Sequence, residues 1–123
     1  MATVDLTTET FQSTLENNDI VLLDFWAAWC GPCRMFAPIY EQVSEQHPDI
    51  VFGKVDTEAE QALAAQFNIM SIPTLMIVRD RVVLFSQPGV VPAEGLEHLI
   101  EQVRGVDMDE VRKAIAEHEH SAG

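Results

Sequence analysis

The stretch Ile20-Val21-Leu22-Leu23-Asp24-Phe25-Trp26 constrains the fold more than any other part of the chain. It is a near-continuous apolar run, short for a helix and without the alternation of a half-exposed strand. A run of this kind reads as a central strand buried on both faces. Such a strand needs helices above and below its sheet, so the chain is expected to be an α/β structure.

The neighbouring segments supply those layers. Residues 4–6 read as a short strand, and Thr7 or Thr8 can cap a helix whose Phe11 and Leu15 share a face. Pro32 suits the first turn of a helix that runs to about residue 46 and ends near His47-Pro48, with Pro38 inside it as an expected kink. Residues 50–56 read as a strand and 58–67 as a helix, with Leu63 and Phe67 spaced four apart. Strands over 74–78 and 82–85 are joined by a tight turn at Arg79-Asp80-Arg81, which makes the sheet mixed. A helix over 92–104 carries Leu96, Leu99, Ile100 and Val103, with Arg104 matching its dipole and Gly105 as its terminator. No linker or repeat divides the chain. It reads as one domain over 1–105 and a C-terminal extension over 106–123. The extension is expected to form a short helix from Met108 to about residue 117, striped by Met108, Val111 and Ile115.

Charge narrows the partners. The 123 residues hold 7 Lys and Arg against 20 Asp and Glu, a formal net charge of −13. Such an anion repels phosphate backbones and anionic lipid, so neither nucleic acid nor membrane is an expected partner. Most of that charge reads as a solubilising surface, and part of it could steer the chain toward basic patches on other proteins. No apolar run approaches the roughly 18 residues of a spanning helix. The Met1-Ala2-Thr3-Val4-Asp5 start has neither a basic nor an apolar leader segment, so a cytoplasmic protein is expected. The chain is also expected to be a monomer.

The only two cysteines form one Cys-x-x-Cys, Cys30-Gly31-Pro32-Cys33, set between the apolar strand and the Pro32 helix. In a reducing compartment such a pair is catalytic or metal-binding before it is a structural staple. A thiol at a helix start faces unpaired N–H groups and the positive end of the dipole, which favour thiolate. Cys30 is therefore expected to be the exposed attacker, and Cys33, one turn in, the more buried resolver. No charged residue lies between them to hold the thiolate further, which leaves the disulfide favoured and makes the dithiol a reductant. A zinc site needs four ligands, and His118 and His120 stand one residue apart, short of zinc-finger spacing; no metal site is expected. Two inert core thiols are the remaining alternative.

Asp24 interrupts the apolar run six residues before Cys30. Buried there, its carboxyl should be raised by desolvation and could act as general base toward Cys33, with Lys54 of the next strand as partner. Pro73 opens a strand, and taken alone an Ile72-Pro73 bond defaults to trans.

Phe25-Trp26-Ala27-Ala28-Trp29-Cys30-Gly31-Pro32-Cys33 resembles the active-site signature of the thioredoxin family. Pro38, Lys54-Val55-Asp56, Ile72-Pro73-Thr74 and Gly89 follow in the family's order, and the resemblance covers roughly residues 4–104. It implies a thioredoxin fold, a central mixed β-sheet flanked by helices. It implies a protein-disulfide reductase in which Cys30 attacks and Cys33 resolves, with no bound cofactor and NADPH used only through a thioredoxin reductase. Asp24 would be the proton acceptor and Pro73 a cis-proline facing the dithiol. Ser71 and Ile72 would pair with the backbone of a disulfide-containing substrate protein, and Trp29, Gly31, Pro32 and Gly89 would complete the groove, supported by Trp26 and Lys54. The turn at Asp80-Arg81, the Arg34 after the second cysteine and the Pro88-Gly89-Val90 loop depart from the commoner family residues. A binding subunit that uses the same surface without its thiols is the competing class.

Overall fold

The computed structural model describes residues 2–122, with side chains over 2–119. Along the chain these form β1 (Thr3–Asp5), α1 (Thr8–Asn17), β2 (Ile20–Trp26), α2 (Gly31–Ser44), β3 (Val51–Asp56), α3 (Gln61–Gln66), β4 (Thr74–Arg79), β5 (Val82–Pro88), α4 (Ala93–Arg104) and α5 (Met108–Ala122). The sheet has the order β1-β3-β2-β4-β5. β1 and β2 run parallel to β3, while β4 is antiparallel to both β2 and β5. The apolar run is thus the middle strand, and the sheet is mixed because of the β4–β5 hairpin.

Residue alternation along β2 builds two cores from one strand. Ile20 and Leu22 point to the side of α2 and α4, where they meet Phe36, Tyr40, Leu96 and Ile100. Val21, Leu23 and Phe25 point to the opposite side, with Phe11 of α1, Leu63 of α3 and Phe67 at the C-cap of α3. By the same period of two, Asp24 falls on the α2 side. Gly53 in β3 admits Leu6 over the sheet: a Cβ there would stand 2.5 Å from Leu6 Cδ1.

Several boundaries differ from the sequence expectation, for local reasons. β1 lies one residue earlier than expected, and Leu6 instead buries itself beyond the strand. Thr7 caps α1, in a reciprocal capping box with Thr10. α3 starts at Gln61, three residues late. Asp56 Oδ1 accepts the Glu58 and Ala59 N–H groups, and Thr57 bonds the Trp26 carbonyl through both N–H and Oγ1. Those bonds hold residues 57–59 in a turn that competes with helix. β5, the edge strand, extends through the exposed Ser86 and Gln87 to Pro88, and α5 is longer than expected. Pro38 lies inside α2 without ending it.

Candidate active site

Three features converge at the carboxyl end of β2. The strand ends at Trp26, a short loop follows, and Cys30 becomes the N-cap of α2 with Pro32 in the first turn. Arg34 ties that turn back through a 2.9 Å bond from Nη1 to the Ala28 carbonyl. Cys30 and Cys33 are joined as a disulfide, their Cα atoms 5.2 Å apart. The Cys33 N–H points at Cys30 Sγ, 3.2 Å away. A free N–H of a helix first turn aimed at a sulfur is the arrangement that stabilises a thiolate at that sulfur.

Exposure does not separate the two cysteines as expected: Cys30 is 4% and Cys33 3% exposed. The loop before β4 covers Cys30, bringing the Ile72 carbonyl to 3.7 Å from its Sγ. In the disulfide that sulfur carries no proton, so this is a contact; a Cys30 thiol could donate across it. What distinguishes the cysteines is the groove. A groove of about 450 Å³ is lined by Cys30 but not Cys33, with Trp29, Gly31 and Pro32 on one wall and Ser71 and Ile72 on the other.

The Ile72-Pro73 bond is cis, against the trans default of an isolated X-Pro. The carbonyls around it are mostly occupied. Thr74 Oγ1 donates to the Ser71 carbonyl at 2.6 Å, and the Gly89 N–H donates to the Pro73 carbonyl at 2.8 Å. Gly89 holds φ +103°, a left-handed conformation that a side chain would strain, and lies behind Pro73 outside the groove lining. Trp26 is half-buried against the cysteines, with the Lys54 ammonium 5.0 Å from its ring centroid.

Asp24 is 1% exposed, and neither carboxyl oxygen has a hydrogen-bond partner among the described residues. Burial lifts its pKa from 3.8 to about 7, and the Lys54 charge partly opposes that rise. Lys54 faces Asp24 in the β2–β3 register, yet among the described residues the two make no ion pair. Lys54 thus acts on Asp24 through its field while its ammonium lies over Trp26. Beside them the buried Tyr40 hydroxyl donates to the Gly53 carbonyl at 2.8 Å, and the Asp24 charge adds to the burial that holds the tyrosine proton on.

Sequence reasoning missed Glu58, whose Oε1 accepts from Trp29 Nε1, and the groove residues Thr57, Ala64, Ile69 and Met70. Met70 carried one available signal, an apolar residue outside any helical stripe just before Ser71-Ile72-Pro73. Glu58 carried none.

The thioredoxin family model matches residues 2–102. The chain belongs to the thioredoxin family. It is 57% identical over 122 residues to putative thioredoxin 2 of Streptomyces coelicolor, covering 99% of this chain and 91% of that one. It is 39% identical over 101 residues to the thioredoxin of Bacillus subtilis, covering 81% and 96%. Among solved structures, a thioredoxin mutant from Halobacterium salinarum NRC-1 matches with a TM-score of 0.77 at 31% identity, covering 85% and 92%. Chloroplastic thioredoxin z, at 23% identity and a TM-score of 0.79 over 86% and 97%, shares the fold. With a Cys-x-x-Cys disulfide at the family's site, this thioredoxin is a thiol-disulfide oxidoreductase whose redox group is the cysteine pair. Among the described residues no cluster of three or more His, Cys, Asp or Glu is arranged to hold a metal, and no helix is long and apolar enough to cross a membrane.

Proposed function

We propose that this thioredoxin is a protein-disulfide reductase, with Cys30 as nucleophile and Cys33 as resolving thiol. The observation that carries the reading is the Cys33 N–H held 3.2 Å from Cys30 Sγ at the floor of an open groove. In the reduced chain the Cys30 thiolate attacks one sulfur of a substrate disulfide. A mixed disulfide forms and the first substrate thiolate leaves. Cys33, deprotonated, then attacks Cys30 Sγ, and the second substrate thiolate leaves. The substrate gains two electrons, and the chain ends as the Cys30–Cys33 disulfide that the structure contains. Thioredoxins are themselves a reference case for this chemistry.

Asp24 is the group we assign to the Cys33 proton. A carboxyl with a pKa of about 7 can take a proton at neutral pH and give it back to a leaving thiolate. Trp29, Gly31 and Pro32 form one wall for the substrate chain and Ser71 and Ile72 the other, with the buried cis Pro73 behind them. Gly89 supports the Pro73 backbone, and Trp26 and Lys54 set the surroundings of Asp24. We assign regeneration to an NADPH-dependent thioredoxin reductase and place the monomeric chain in the cytoplasm, because the dithiol must be restored in a reducing compartment. Residues 1–105 are the working domain in this reading and 106–123 an accessory extension.

Two measurements test it. Purified chain with NADPH and a thioredoxin reductase should reduce the disulfides of insulin. Cys33→Ser should hold covalent mixed disulfides that dithiothreitol releases. An inert pair in both assays would leave the chain as a thioredoxin-shaped binding protein.

A further inference from the structure

Four methionines lie among the described residues, and they divide sharply. Met76 and Met108 are 4% and 5% exposed, inside the core. Met70 and Met35 are 88% and 66% exposed. Of the exposed pair only Met70 lines the groove that holds Cys30, immediately before the Ser71-Ile72 edge. It also lines a second, adjoining hollow of about 190 Å³ toward Ser86 and Pro88. Met35 lies on α2, outside both.

We propose that Met70 is an oxidative modification site that governs how tightly the groove takes protein substrates. The proposal rests on the reductase reading above and adds a regulator of the same site. Its oxidant is a hydroperoxide. The Met70 sulfur attacks the terminal peroxide oxygen, the O–O bond breaks, and the sulfur is oxidised by two electrons to a sulfoxide. The proton on the transferred oxygen passes to the leaving hydroxide, so that with hydrogen peroxide the products are the sulfoxide and water. Susceptibility of a thioether follows exposure, and Met70 is the most exposed large apolar side chain described. Unoxidised, it offers a flexible, polarizable apolar surface that can adapt to different substrate chains. As a sulfoxide it presents a polar S=O group to the same contact, which must be desolvated each time a substrate docks. Chemistry at Cys30 is untouched, so a disulfide too small to reach Met70 should not notice.

Hydrogen peroxide is applied to the Cys30–Cys33 disulfide form, in which the cysteines are protected, and then removed. Dithiothreitol next opens the disulfide and leaves the sulfoxide intact. Reduction of insulin and of hydroxyethyl disulfide is compared with the untreated sample of the same variant. For the unmutated chain, kcat/KM on insulin should fall roughly three- to ten-fold, as expected for one newly polar contact. The rate on hydroxyethyl disulfide should not move. Met70→Leu should lose none of its own insulin activity on treatment, whereas Met35→Leu should lose as much as the unmutated chain. Peptide mass spectrometry should find the sulfoxide at Met70. Retained insulin activity in the treated chain, an equal fall in Met70→Leu, or a fall shared by the small disulfide each overturns the proposal. An untreated chain that cannot reduce insulin overturns the reductase reading and the proposal with it.

Discussion

The two ends of the sheet handle polar and apolar groups in opposite ways. At the carboxyl end of β2, Asp24 is buried without a hydrogen-bond partner among the described residues, while Trp29 and Met70 are left 67% and 88% exposed. At the far end, where β4 turns into β5, three arginines are matched. Arg79 Nη1 donates to the carbonyls of Val103, Arg104 and Val106 at 2.8, 3.3 and 2.8 Å, capping the end of α4. Arg104 grips Asp49 with both nitrogens and donates to His47 Nδ1, whose Nε2 bonds Glu97. Arg112 of α5 bridges Asp109 and Asp80. Polar pairing at the far end holds helices to the sheet. At the site end the Asp24 carboxyl has no such partner among the described residues, which under the proposed mechanism suits it to move a proton, and the exposed Trp29 and Met70 form an apolar rim. Stability and reactivity are thus kept at opposite ends of one strand.

Asp24→Asn is the largest expected breach of that contrast. A carboxyl whose folded pKa stands above its unfolded value holds its proton more tightly in the fold. The folded chain therefore loses stability as pH rises from about 3.8 toward 7, and the full penalty is present above that. Removing the charge should stabilise the oxidised chain at pH 8 by roughly 2–4 kcal/mol, less what the unpaired amide costs. Near pH 4 the gain should vanish, since both forms are then neutral. Urea unfolding at the two pH values measures this, and stopped-flow kinetics should show a slower resolving step in the same variant. Equal stabilities at pH 8 would show that Asp24 has a partner or is solvated.

Arg79→Met probes the other end. The methionine keeps much of the buried stem and removes the head that satisfies three carbonyls. A loss of about 1–3 kcal/mol is expected, as for a charge-assisted hydrogen-bonding group. The rate of insulin reduction at a temperature where the variant is folded should be unchanged. A fall in that rate would mean that the two ends are coupled.

How far this contrast could be read from the sequence follows the range of the forces involved. The central strand, the α4 stripe and the Cys-x-x-Cys at a helix start are local patterns, and each lies where it was expected. Asp24 was legible because a carboxylate inside an apolar run is an anomaly of the sequence itself. The cover over Cys30 was not, because it comes from Ile72, a residue 42 positions away in the chain. For the same reason neither the Trp29–Glu58 bond nor the triple cap by Arg79 carries a local signature. The α3 boundary failed at short range instead, where Asp56 and Thr57 offered the backbone an alternative to helix.

Deleting residues 108–123 should cost less than Arg79→Met. α5 buries Met108 and part of Val111, but Ile115 is already 39% exposed, so the stripe peels away from the domain along its length. Loss of that small apolar area should lower stability by about 1–2 kcal/mol, and the exposed Arg112–Asp80 pair adds little. Disulfide reduction should stay within about two-fold, given the distance in the fold between the two ends. The near full-length match to the Streptomyces coelicolor relative takes in this extension. A large loss of activity in a folded deletion variant would give α5 a part in substrate capture.

The smallest expected effect lies in the β4–β5 turn, and it has the opposite sign. Asp80 and Arg81 hold φ of +51° and +66°, so both central residues of the turn are left-handed. That geometry suits the twist of a two-residue hairpin but favours Asn and Gly, and it strains a residue with a long side chain. Asp80 is compensated: its N–H donates to the Asp19 carbonyl at 2.8 Å, and its carboxylate meets Arg112 at 3.2 Å. Among the described residues Arg81 makes no ion pair, so its strain is offset by nothing comparable. Arg81→Gly should relieve about 1 kcal/mol of strain, partly cancelled by the greater freedom of glycine in the unfolded chain. A net gain of about 0.5 kcal/mol is expected, a rise in Tm of roughly 2–4 °C by differential scanning calorimetry. Asp80→Asn, which breaks the Arg112 pair while easing the same backbone strain, should gain less. If Arg81→Gly instead lowers Tm, the guanidinium contributes to the far end after all, and the pairing of cations there is more complete than the hydrogen bonds alone indicate.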